Sequence, residues 1–210
     1  MNLLKYFSKA LFLLVVTTLF CFEYHYLKVE VPSSCIVDKA SLQDLKLGDL
    51  ILRKGKDADS HFICQVSGGN YSHIGMVTKL YPSIEITHAT LNDKGVEDGV
   101  VVSSLENFFD SKAASKGLIL RLDFINKDNV GKVIEEVSSH LGQSFLIEPS
   151  ISPKSEHSLY CTTLILKGIS KVNKDLYLNW RYLDMPLMRG YYLYPQAFIE
   201  SDKAKVIYKF

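Results

Sequence analysis

An α+β fold, with an antiparallel sheet packed against helices, is what this sequence predicts, and three observations carry the expectation. Between residues 50 and 122, short apolar or alternating segments follow one another with turn residues between them. Two later segments, 129–141 and 159–168, have helical spacing or helical length and end at glycine. The 210 residues, 47% hydrophobic and 22% charged, have globular composition and fit one domain with a single core.

The chain divides into a signal or membrane-anchor segment, 1–28, a connector, 29–44, and a folded domain, 45–210. Lys5 and Lys9 precede an uncharged apolar run from Ala10 to Phe22, closed by Glu23. This is a basic region followed by a hydrophobic one. The run is short of the roughly 20 residues that cross a bilayer, but Tyr24, Tyr26 and Leu27 extend it with side chains suited to the interface. Bulky Phe20, Phe22, Tyr24 and Tyr26 stand where a cleavage site needs small residues, which favours a retained anchor over secretion after cleavage. Thr18, Leu19 and Phe20 before Cys21 lack the small residues of a lipid-attachment site. The leading lysines put the N-terminus in the cytoplasm and the domain outside it, periplasmic or extracytoplasmic.

Within the domain, Gly48 and Asp49 turn the chain into a strand at 50–53. Asp49 there suits a structural hydrogen bond to backbone. A helical turn at 61–66 ends at the breaker 67–70, followed by strands at 71–78 and 84–90 separated by Pro82. A hairpin turn at 92–95 leads to a strand at 99–103, and Ser104 caps a short helix at 104–109. After a strand at 117–122, Val130, Val133, Ile134, Val137 and Leu141 mark an amphipathic helix. A polar loop at 148–158 precedes the apolar helix, and residues 189–198 and 204–208 close the chain, the last as an edge strand.

A formal charge of +1 without a basic stripe excludes a nucleic-acid footprint. The four cysteines, Cys21, Cys35, Cys64 and Cys161, form no C-x-x-C pair, so no metal site and no cofactor is expected. Cys35 and Cys64 could pair outside the cytoplasm, but two small buried hydrophobes are the simpler reading. His61, His140 and His157 belong to no motif.

Cys161 is the candidate nucleophile. A thiol reacts as thiolate, and both a nearby imidazole and a helix N-terminus lower its pKa. Cys161 stands at the start of the apolar helix, where the first free N–H groups could also hold an oxyanion. His73, on a strand after a Gly-Gly turn, is the candidate base. His88 lies fifteen positions on (88 − 73), on the next strand, where two antiparallel neighbours would bring the imidazoles together.

Four motifs occur in order: Leu47-Gly-Asp-Leu-Ile51, Tyr71-Ser-His-Ile-Gly-Met-Val77, Thr87-His-Ala89 and Leu159-Tyr-Cys-Thr-Thr-Leu-Ile165. From about residue 45 onward, including Tyr192-Leu-Tyr-Pro-Gln-Ala-Phe198, the chain resembles the circularly permuted members of the NlpC/P60 papain-like superfamily. The resemblance is strongest to the YiiX/YaeF-like cysteine hydrolases, with lecithin:retinol acyltransferase more distant. It implies a circularly permuted papain-like fold with Cys161 as nucleophile, His73 as base and His88 as its orienter. The family's usual glutamate at the third position is His88 here, as in its acyltransferase branch. Thr162-Thr163 replaces the usual Ser-Glu after the cysteine. Tyr160, Tyr71 and Ser72 are the expected substrate-binding residues. The implied activity is a hydrolase or acyltransferase acting on an amide or ester in a cell-envelope peptide or lipid acyl group, with the membrane engaged through 1–28. The alternative is an inactive envelope protein that binds through the same groove.

Overall fold

The computed structural model describes residues 36–37, 42–91, 97–150, 158–186 and 188–210. The anchor expected at 1–28, with Cys21, lies outside the described residues, as do Cys35, the hairpin turn at 92–95 and His157. Among the described residues, no helix is long and apolar enough to cross a membrane.

The elements in chain order are β1 (Leu50–Gly55), α1 (Ala58–Ser67), β2 (His73–Lys79), β3 (Glu85–Thr90), β4 (Gly99–Ser104), α2 (Leu105–Phe108), β5 (Ala114–Leu122), α3 (Val130–Ser139), α4 (Cys161–Ile169), β6 (Arg181–Leu183), β7 (Gly190–Tyr192), α5 (Pro195–Ile199) and β8 (Ala204–Lys209). Six strands form one sheet in the order β4-β3-β2-β1-β5-β8, every pairing antiparallel, and β6 and β7 form a separate hairpin. The α+β expectation holds, with β8 on the sheet edge.

Both faces of the sheet are covered. Leu50, Leu52, Ile74, Met76, Leu118 and Leu120 share a cluster with Val133 and Val137 of α3 and with Leu164 and Ile165 of α4. Ile51, Val77, Ile86 and Ile119 share the other with Phe108 and Phe109. This is why β1 begins as an unbroken apolar triplet: a central strand buried on both sides has no polar face to alternate with. Ile36, Val37 and Leu42 pack against the second cluster, so part of the stretch read as a connector belongs to the folded body.

Local chemistry sets the helix ends. Asp57 accepts the Ser60 N–H at 2.6 Å and Gly68 closes α1 with φ +61, which makes this helix longer than the single turn expected. Ser104 caps α2 by accepting the Asn107 N–H, as its position implies. Gly168 does not stop α4 but lies inside it, which runs to Ile169. A Cβ there would come within 2.5 Å of Val137 Cγ2, so this glycine permits the close packing of α4 on α3. The hydrogen bond expected of Asp49 is present, from the Lys46 N–H at 2.8 Å, and Arg121 adds a two-pronged ion pair at 2.7 Å on each oxygen.

Candidate active site

Cys161 is the first residue of α4, and the cap explains why the helix begins there. Tyr160 is extended, at φ −130 and ψ 177, and its backbone N–H is accepted by Thr163 Oγ1 at 2.9 Å. Thr163 thus takes the part that Glu or Gln plays in the usual capping box. Thr162 donates to the Leu193 carbonyl at 2.8 Å, and the Leu193 N–H donates to Tyr160 Oη at 2.9 Å. The segment after β7 is therefore clipped to both residues flanking the cysteine. The Thr-Thr pair is buried and structural, which accounts for its presence without an acidic side chain.

The imidazoles come together as their strands imply. His73 Nε2 and His88 Nδ1 are 2.8 Å apart with the rings nearly perpendicular, and His88 Nε2 lies 2.9 Å from Ser103 Oγ on β4. Gly75 makes this possible. A Cβ at that position would stand 2.5 Å from Ile86 Cγ2 and 3.1 Å from His88 Cβ. We expect Gly75→Ala to cost about 1–3 kcal/mol by overpacking and to part the two rings, read as a lower urea midpoint and altered histidine NMR shifts.

Phe108 packs against both rings, with centroids 5.6 Å from His73 and 5.2 Å from His88. Arg53, paired across the sheet with His73, donates from Nη1 to the Phe108 carbonyl at 2.8 Å and holds its guanidinium 4.8 Å from the Phe108 ring centre. None of Arg53, Ser103, Phe108 or Gly75 was expected from the sequence as part of the site. Arg53 carried the one available signal, a charge closing an apolar strand with the same facing as Ile51.

Electrostatics follow from this enclosure. Burial, then Arg53 and then His88, hold His73 well below its ordinary 6.5. Burial, then Arg53, lower His88 to about 3. Both rings are therefore neutral near pH 7. The thiol runs against the expectation of activation: burial pushes Cys161 up from 9.0 to about 11, against opposing contributions from the Ile74, Thr162 and Cys161 amides and from Arg53. The amides of a helix start and of β2 do reach the sulfur, but they do not outweigh its desolvation.

Cys161 thus meets the sheet at Ile74, the residue after His73. The rings lie on the opposite sheet face from α4, and among the described residues no hydrogen bond joins the sulfur to either ring. With Nε2 engaged by His88, Nδ1 is the remaining nitrogen of His73. Tyr160 is buried, with its hydroxyl pushed up chiefly by burial. Tyr71 is at the edge of the core, and Ser72 is 2% exposed with its hydroxyl accepting the Gly55 N–H. Ser72 therefore serves as a strap between strand ends, with its oxygen already occupied.

Two bonded imidazoles on adjacent interior strands, with a helix that opens on a cysteine packed on the other face of the same sheet, define an α+β protein with a candidate thiol site. The crystal structure of the metalloprotein YiiX from Escherichia coli O157:H7 has the same fold, with a TM-score of 0.62 and 16% identity over 79% of this chain and 97% of that one. The likeness is one of fold. The sequence matches no family model and no curated protein.

Proposed function

We propose that this chain is a permuted papain-like cysteine hydrolase or acyltransferase of the YiiX-like kind. Cys161 attacks an amide or ester carbonyl of an envelope peptide or lipid acyl group. The observation that carries the reading is the 2.8 Å bond from His73 Nε2 to His88 Nδ1, which leaves Nδ1 as the basic atom one residue from the amide that meets the sulfur.

In the proposed steps, the Cys161 S–H proton passes to His73 Nδ1 as sulfur bonds to the carbonyl carbon. Amide N–H groups at the start of α4 receive the developing oxyanion. The C–N or C–O bond then breaks, and His73 returns the proton to the leaving group. Water, or an alcohol or amine acceptor, attacks the thioester while His73 takes its proton, and the sulfur leaves to regain a proton. His88 keeps the His73 ring oriented, and the pocket is lined from Tyr160 and Tyr71. Residues 1–28 hold the domain at the outer side of a membrane, a reading that rests on Lys5, Lys9 and the apolar run after them.

YiiX is described as a metalloprotein. Among the described residues of this chain, no three His, Cys, Asp or Glu gather to hold an ion. The proposed steps use only side chains and backbone amides.

One observation favours the alternative, an inactive protein that binds in the groove: a thiol held up to about 11 with no hydrogen bond to either ring among the described residues. Intact-mass measurement after incubation with p-nitrophenyl octanoate, and with a γ-glutamyl p-nitroanilide, separates the two. An acyl adduct on Cys161 that is absent from Cys161→Ala is the expected result. No adduct and no released nitrophenol or nitroaniline would leave only the binding role.

A further inference from the structure

We propose that Ser103 is the positioning residue that holds the His73–His88 relay in its base-competent tautomer, by accepting a hydrogen bond from His88 Nε2–H. The inference rests on the base role given to His73 above.

Each neutral imidazole carries one proton, on one of its two nitrogens. The chain of contacts is His73 Nε2 to His88 Nδ1 at 2.8 Å, and His88 Nε2 to Ser103 Oγ at 2.9 Å. Only two arrangements satisfy it. In one, His73 donates from Nε2, His88 accepts at Nδ1 and donates from Nε2, and Ser103 accepts. His73 Nδ1 then bears a lone pair and can take a proton. In the other, every bond is reversed, His73 carries its proton on Nδ1, and that atom has nothing to accept with. The tautomer of His88 therefore decides whether His73 can act as a base.

Ser103 controls the choice because His88 is wholly buried. In the first arrangement, an Nε2–H without an acceptor would be an orphaned donor in the core, among the costlier defects a fold can carry. A bare lone pair is tolerated better, and in the reversed arrangement that is all the nitrogen presents. Removing the hydroxyl thus penalises the base-competent form selectively. Ser103 faces His88 because it is paired with Ile86, on the same side of the sheet as His88 two residues on. A hydroxyl can fill the place without adding charge, which matters beside Arg53 and two neutral rings.

The test is ¹⁵N NMR of the full chain labelled at histidine, with His73 and His88 signals assigned from His73→Gln and His88→Gln. In the wild type, His88 is expected to be protonated on Nε2 and His73 on Nε2. Ser103→Ala is expected to shift His88 to the Nδ1–H form and to slow Cys161 alkylation by iodoacetamide at pH 7.5 roughly tenfold or more. Ser103→Thr, which restores the hydroxyl on a strand that favours β-branched residues, is expected to restore both readouts. A wild-type spectrum with His88 protonated on Nδ1 overturns the proposal without any variant, as does a Ser103→Ala tautomer identical to wild type. If the expected tautomer is found while no acyl adduct forms on Cys161, the hydrolase reading fails and this one stands.

Discussion

Replacing His73 with glutamine is expected to slow acylation of Cys161 about 10³-fold at pH 7.5, and the thiol's own burial sets that size. With the thiol at about 11, the pH lies 11 − 7.5 = 3.5 units below it. Roughly one molecule in 3,000 then carries a free thiolate. A chain relying on that fraction would be a poor nucleophile, so the proposed attack requires proton removal to accompany it. A positioned base contributes on the order of 10²–10⁴ to such a step, which matches the deficit.

The pH profile is the sharper reading. Because His73 stays neutral well below 6.5, a base-assisted reaction should run nearly level between pH 6 and 8.5. His73→Gln should instead follow the thiolate and rise tenfold for each pH unit. Stopped-flow acylation with p-nitrophenyl octanoate across that range measures both. Equal slopes in wild type and variant would mean that the imidazole does not assist the sulfur, and the acyl-transfer mechanism would go with it.

The parts of this site written in short-range pattern were legible from sequence. His73 and His88 stand on successive strands whose alternation and turns are local, so their meeting could be anticipated. Cys161 stands at the junction of a loop and an apolar run, so its place at a helix start could be too. The rest depends on contacts that no local pattern encodes. Arg53 reaches the Phe108 carbonyl 55 residues away, and that contact places a cation beside both rings. The sign of the thiol's shift depends on how completely the body closes over the sulfur. Thr162 and Thr163 looked like a departure from an acidic pattern, whereas their hydroxyls hold the Leu193 carbonyl and the Tyr160 N–H. Gly168 read as a stop because glycine usually ends helices, and only the neighbouring Val137 reveals why it sits inside one. The strands Arg181–Leu183 and Gly190–Tyr192 are three residues each, too short for alternation to register.

Acid should destabilise this fold well above the pH at which its carboxylates titrate. In the unfolded chain, His73 and His88 each take a proton as pH falls through about 6.5. In the folded chain both resist: His88 stays neutral down to about 3, and His73 is held well below 6.5. Between those limits the unfolded state binds more protons than the folded one, so stability is full above pH 6.5 and is lost as pH falls toward 3. A ring that stays neutral contributes about 1.4 kcal/mol per pH unit, so His88 alone removes roughly 2.5 kcal/mol between pH 6.5 and 4.5, and His73 adds to the loss in the same direction. That is a large fraction of the whole stability of a marginal domain. Urea midpoints taken at half-unit intervals from pH 7.5 to 4.5 should fall steadily below pH 6.5. His88→Gln, which keeps hydrogen-bonding atoms but cannot be protonated, should have a clearly shallower slope whatever its stability at neutral pH. A wild-type midpoint that stays level to pH 4.5 would mean that the rings are open to protonation in the folded chain. The buried neutral pair on which the proposed base role of His73 depends would then not exist.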